Sequence, residues 1–197
     1  MLQKTEQARK TTNSSLGLSE RLGLLTPKTM IILAFFLEDP LQGYYEREVV
    51  RKTGISLGSI SKILRTLAKL GFLTKEERGR LAIYKPNLKE AEVRQLKVFF
   101  NTLTLKPLTD ELKGFSKKIL LFGSCSQGTD ARESDIDLLV MTDEKEAVNN
   151  LLSEFNLKND RRISPILVNM NEFVRLKKED SALYENIEKG ITLWETE

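Results

Sequence analysis

The sequence predicts an α+β chain in two units, a mostly helical one closed by a β-hairpin and a second with a small mixed sheet flanked by helices. Three observations carry this. Apolar residues recur at helical spacing in the first half, continuous apolar runs of strand length begin after residue 117, and the charge is unevenly divided. Residues 1–105 hold 18 Lys+Arg against 10 Asp+Glu, net +8, whereas residues 106–197 hold 13 against 18, net −5. A basic unit suits a polyanion, and an acidic one with clustered aspartates suits a divalent cation.

Several function classes are excluded at once. The longest apolar run, Met30 to Leu37, is far short of the roughly 20 residues a bilayer-spanning helix needs, so no membrane partner is expected. No apolar signal segment opens the chain and its one cysteine cannot form an internal disulfide, which together predict a reducing, cytoplasmic setting. With no histidine, histidine bases, triads containing one and His-ligated zinc are all ruled out. Chemistry must rest on carboxylates, hydroxyls, lysine or a bound cation.

Residues 1–25 are polar and expected to be mobile. A first unit, 26–87, begins at Thr26-Pro27, an N-cap followed by proline at the first helical position, and its helix ends before Asp39-Pro40. Glu46 to Lys52 reads as a second helix with Val49 and Val50 buried and Thr53-Gly54 closing it. Ser56 caps a third, in which Ile60, Ile63, Leu64 and Leu67 share one face, and Gly71 ends it. Two short strands, 72–75 and 81–84, are joined by a polar loop, 76–80.

This order resembles the winged helix-turn-helix family over about residues 27–86. Between Val49 and Thr74 stand five cations, Arg51, Lys52, Lys62, Arg65 and Lys69, and no acid. The resemblance implies that Ser59, Lys62, Arg65 and Lys69 face a DNA major groove while Arg78 and Arg80, on the wing, reach phosphates. Double-stranded DNA is the implied partner; a protein-docking role is the alternative. Residues 88–105 read as a linker helix whose stripe of Val93, Leu96, Phe99, Phe100 and Leu103 suits either a homodimer or packing between units, and Thr104 to Pro107 is the expected boundary.

The second unit, 106–197, opens with a buried strand, Lys117 to Phe122, running into Gly123-Ser124 and then polar, helix-compatible residues. Asp135-Ile136-Asp137 leads into a second strand, Leu138 to Met141. Alternation along a strand puts Asp135 and Asp137 on one face with Ile136 inward. Two adjacent anions are tolerated where a cation lies between them, and hard oxygen ligands suit Mg2+ or Mn2+. Gly123 lets backbone approach a phosphate, and Ser124 adds a hydroxyl. Helices are expected at 144–155, 171–178 and 181–189, and a short strand at 191–194. Pro165 marks the run 162–168 as a candidate edge strand.

Phe122-Gly123-Ser124, Gly128 and Ser134-Asp135-Ile136-Asp137-Leu138 resemble the minimal nucleotidyltransferase family of the DNA polymerase beta superfamily, over about residues 106–195. The resemblance implies that Gly123, Ser124 and Gln127 bind a nucleoside triphosphate, while Asp135 and Asp137 are the catalytic carboxylates that hold Mg2+ and direct nucleoside monophosphate onto an acceptor hydroxyl. Two departures stand out. No acid occupies the expected strand 162–168, leaving Asp160 and Glu172 as nearest candidates for a third carboxylate, and Gln127 replaces a basic or aromatic residue. The alternatives are a nucleotide-sensing or association domain in a transcriptional regulator, without turnover, and an antitoxin-like enzyme acting on a protein acceptor.

Overall fold

The computed structural model describes residues 19, 22, 23, 25–79 and 81–196. The expected mobile segment therefore falls almost wholly outside the described residues, as does Arg80. Among the described residues no helix is long and apolar enough to cross a membrane.

The N-terminal unit comprises α1 (Pro27–Glu38), β1 (Tyr44–Tyr45), α2 (Glu46–Thr53), α3 (Leu57–Lys69), β2 (Leu73–Arg78) and β3 (Leu81–Pro86). Thr26 caps α1 by accepting the Thr29 amide proton, and Gly54, at φ +70°, takes the left-handed turn that ends α2. Ile32, Leu33, Phe36, Val49, Ile60, Leu64, Leu67, Leu73 and Tyr84 form one core. The hairpin differs from expectation. Its strands run on to Arg78 and start again at Leu81, pairing Arg78 with Leu81, so the wide polar loop expected at 76–80 is a tight connection. Glu76 and Glu77 point to opposite faces of β2, and both are accommodated because every residue of the strand after Leu73 is exposed.

The helix α4 (Ala91–Leu112) corrects the expected boundary. It passes unbroken through Thr104–Pro107, and a 3₁₀ turn (Lys113–Phe115) follows. Pro107 removes only the hydrogen bond to the Leu103 carbonyl, on a side where Leu103, Thr104, Lys106 and Pro107 are all exposed. Meanwhile Leu105, Leu108 and Leu112 are buried in the second core, which holds the helix together beyond the proline. The predicted stripe also splits: Val93 is buried and Leu96 and Phe100 pack on the first core, whereas Phe99 and Leu103 are about half exposed.

The second unit follows as β4 (Lys118–Phe122), α5 (Gly123–Gln127), β5 (Ile136–Met141), α6 (Lys145–Lys158), β6 (Ile163–Val168), α7 (Met170–Glu179), α8 (Ser181–Glu188) and β7 (Ile191–Glu195). Its mixed sheet has the order β6-β5-β4-β7, with β5 and β6 parallel and the other pairs antiparallel. Strand β6 lies at an edge, where Pro165 costs no ladder hydrogen bond. One sheet face, with Ile119, Leu121, Leu138 and Val140, packs under α4 and α6; the other, with Leu120, Phe122, Leu139 and Val168, packs under α7 and α8.

Candidate active site and nucleic-acid face

The turn between β4 and α5 brings glycine to a place where no side chain fits. Gly123 has φ +66°, and a Cβ there would lie 2.3 Å from Asp137 Oδ2. Register explains the closeness, since Phe122 stands directly opposite Asp137 on the antiparallel β4–β5 pair. Ser124, half-buried, follows in the five-residue α5, and Gln127, exposed, ends it. Gly128 then turns left-handed at φ +67° with a Cβ position 2.2 Å from the Arg94 carbonyl oxygen, so this loop lies directly on the α4 backbone.

The aspartates are arranged slightly differently from expectation. Strand β5 starts at Ile136, so Asp135 is the exposed residue just before it and not its first member. Ile136 is buried and Asp137 half-buried, as alternation requires. Burial, and after it the Asp135 charge, raises the pKa of Asp137 above the usual carboxylate range. No lysine or arginine among the described residues forms an ion pair with either group. This is a pair of hard oxygen donors lacking a cation.

Among the described residues a third carboxylate does not join them. Among the described residues no cluster of three His, Cys, Asp or Glu is placed to hold a metal. Asp160 is almost fully exposed and 3.9 Å from Arg132. Glu172 closes the capping box of α7, accepting from the Asn169 amide at 2.8 Å and from Lys145 Nζ at 2.6 Å, and those bonds hold its pKa low. The β6 residue in register with Asp137, and so on the same sheet face, is Ser164.

A second group of charges in this segment escaped the sequence analysis. Asp130, fully buried, accepts from Asn101 Nδ2 at 3.0 Å, and its Oδ2 lies 3.1 Å from Lys97 Nζ and 3.0 Å from an Arg161 Nη. Neither cation forms an aligned hydrogen bond to that oxygen, so charge holds it. Lys97, itself buried, donates to the Leu37 carbonyl at 2.7 Å. Arg161 donates to the Ser134 carbonyl through two nitrogens, at 3.0 and 3.2 Å, and to Cys125 Sγ at 3.1 Å. Burial, then the Asp130 charge, pushes the Cys125 thiol up to about 11, so it is not an activated nucleophile. One signal was readable: Lys97, four residues after Val93, lies on the helix face that otherwise holds apolar residues.

On the basic unit, Lys62, Arg65 and Lys69 are exposed along α3, with Arg65 Nε donating to the Ser61 carbonyl at 3.0 Å. Ser59 is half-buried and accepts from the Ser56 hydroxyl at 3.1 Å; it lines a groove of about 240 Å³ with Thr26 and Thr29 and does not stand clear of the helix. On the hairpin Arg78 pairs with Glu76 at 2.9 Å and Lys75 with Glu77 at 2.7 Å, which leaves the segment 75–78 neutral.

The sequence profile of a family described as "Polymerase beta, Nucleotidyltransferase" matches residues 109–197. A search of curated proteins found no match. Two solved structures are similar over part of the chain. AF1382 from Archaeoglobus fulgidus is 17% identical with a TM-score of 0.33, covering 47% of this chain and 97% of that one. Human N-acetylserotonin methyltransferase in complex with SAM is 16% identical with a TM-score of 0.29, covering 52% of this chain; the match spans 37% of the methyltransferase. The profile match and the mixed sheet together support a nucleotidyltransferase domain of the polymerase beta type over residues 109–197.

Proposed function

We propose that the C-terminal domain binds a nucleoside triphosphate with Mg2+ or Mn2+ and transfers its nucleoside monophosphate to an acceptor hydroxyl, while the N-terminal unit is a winged helix that docks on double-stranded DNA. The observation that carries the first part is the seat of the Asp137 carboxylate in the space a Gly123 side chain would fill, beside a second, exposed acid. Two carboxylates lacking a cationic partner fit a Mg2+-like ion that completes its shell with water and substrate phosphate oxygens. Such an ion, when bound, supplies charge neutralisation and acidifies the attacking hydroxyl. The chain's own contribution is positional. Gly123 keeps the turn free of side chain, Ser124 offers a hydroxyl to the phosphates, Gln127 offers an amide at the rim, and Asp135 and Asp137 face the same opening.

Exposed Lys62, Arg65 and Lys69 on α3 support the DNA reading, with Arg51 and Lys52 nearby on α2; on β2 of the hairpin, Lys75 and Arg78 are paired with Glu77 and Glu76 and contribute less. Phe99 and Leu103, left exposed on α4, are where two chains would pair on DNA half-sites. That no third carboxylate joins the pair among the described residues favours a second reading, a domain that binds nucleotide without turning it over.

The full chain incubated with α-labelled nucleoside triphosphates and Mn2+ distinguishes these. Label carried onto an acceptor with release of pyrophosphate, both lost in Asp135→Ala, supports transfer. Nucleotide binding with no release supports the second reading, and no binding at all refutes both.

A further inference from the structure

The guanidinium of Arg161 makes contact with three parts of the segment 123–135 at once. It reaches Cys125, two residues after Gly123 on the phosphate-side turn; the Ser134 carbonyl, immediately before Asp135; and Asp130 in the loop between them. Lys97 and Asn101, from α4, hold the same Asp130 carboxylate, and Lys97 continues to the Leu37 carbonyl in the N-terminal unit. The Asn101 amide also donates to the Cys125 carbonyl at 3.0 Å.

The turn after Gly123 and the backbone before Asp135, the two walls of the proposed nucleotide site, are thereby tied to one planar cation, anchored through one buried carboxylate to a helix shared by the two units. We propose that Arg161 is a positioning residue that fixes the separation of the Gly123-Ser124 turn from Asp135, and that Asp130 and Lys97 make this separation depend on how the N-terminal unit is seated. The nucleotide consequence rests on the function proposed above; the structural consequence does not. A fork of donors suits the task because Nε and the two terminal nitrogens have fixed mutual directions. A lysine would preserve the charge beside Asp130 but could not span both walls.

The test compares Arg161→Lys and Arg161→Gln with the parent chain by amide hydrogen exchange over residues 123–136, Cys125 alkylation and Mn2+-ATP titration followed by the Mn2+ spin signal. Arg161→Gln breaks a buried pair and is expected to lower overall stability, so Arg161→Lys, with Asp130 still paired, is the deciding variant. For Arg161→Lys the expectation is an unchanged unfolding midpoint, at least tenfold faster exchange confined to 124–135, faster Cys125 alkylation and about tenfold weaker Mn2+-ATP binding. Parent-like exchange and alkylation in Arg161→Lys overturn the proposal, as does faster exchange spread evenly over β4 and β5, which marks general destabilisation. If the loop loosens in Arg161→Lys while the parent chain binds no Mn2+-ATP, Arg161 still positions the loop and it is the nucleotide reading that fails.

Discussion

Asp130 and Asp137 lie seven residues apart in one loop-and-strand segment, yet their surroundings are opposite. Asp130 is wholly buried and meets two cations and an amide; Asp137 is half-exposed, lies near the Asp135 charge and has no Lys or Arg paired with it among the described residues. A buried carboxylate ringed by donors shapes a fold, because removing it leaves uncompensated charge. A carboxylate crowded by another and left unpaired is a liability to the empty protein, and such liabilities concentrate where a ligand supplies the missing charge. On the function proposed above, the two aspartates separate architecture from chemistry within fifteen residues of Gly123.

The largest effect expected from breaking this contrast is on Asp130. Asp130→Ala leaves buried Lys97 without its carboxylate and removes one partner of the partly exposed Arg161, and should cost about 3–5 kcal/mol in urea unfolding; a loss under about 1 kcal/mol would erase the distinction. Asp137→Asn should do the reverse, weakening Mn2+ binding by at least tenfold while leaving the metal-free protein as stable or more so. The pH dependence sharpens this. Because the folded-state pKa of Asp137 is raised, the folded chain keeps a proton that the unfolded chain has released, so this group's contribution to stability falls as pH climbs from the ordinary carboxylate range through the raised value. That part of the pH profile should be missing from Asp137→Asn.

Ser164→Asp tests the chemical side from the other direction. It adds an acid in register with Asp137 on the same sheet face, and should tighten Mn2+ by about tenfold, or 1.4 kcal/mol, while lowering stability in the absence of metal. The smallest effect belongs to the basic unit. Replacing Lys62 and Arg65 with alanine should reduce the salt slope of duplex binding by about two and leave the unfolding midpoint unchanged, since both side chains are exposed.

Local features of this molecule were legible in the chain. Thr26-Pro27, Gly54 and Ser56 mark helix ends where they occur, Pro165 foretold an edge strand, and Ile136 is buried between two acids as alternation demands. Long-range partnerships were not. Lys97, Asp130 and Arg161 lie more than thirty residues apart in steps, and nothing near any of them in sequence names its partner. The fate of Pro107 was likewise decided at a distance, by the burial of Leu105, Leu108 and Leu112, which outweighs one lost helical bond. Glu172 looked like a candidate ligand until its own helix claimed it.

The 22 residues of α4 make a rod of roughly 33 Å that forms a wall of one core with its first turns and of the other with its last. Neither half owns this partition. Severing the chain at the seam where its charge changes sign, between Leu105 and Lys106, would pull Leu105 out of the second core and part Lys97 and Asn101 from Asp130. A dissection that respects the molecule would have to give the whole rod to both pieces.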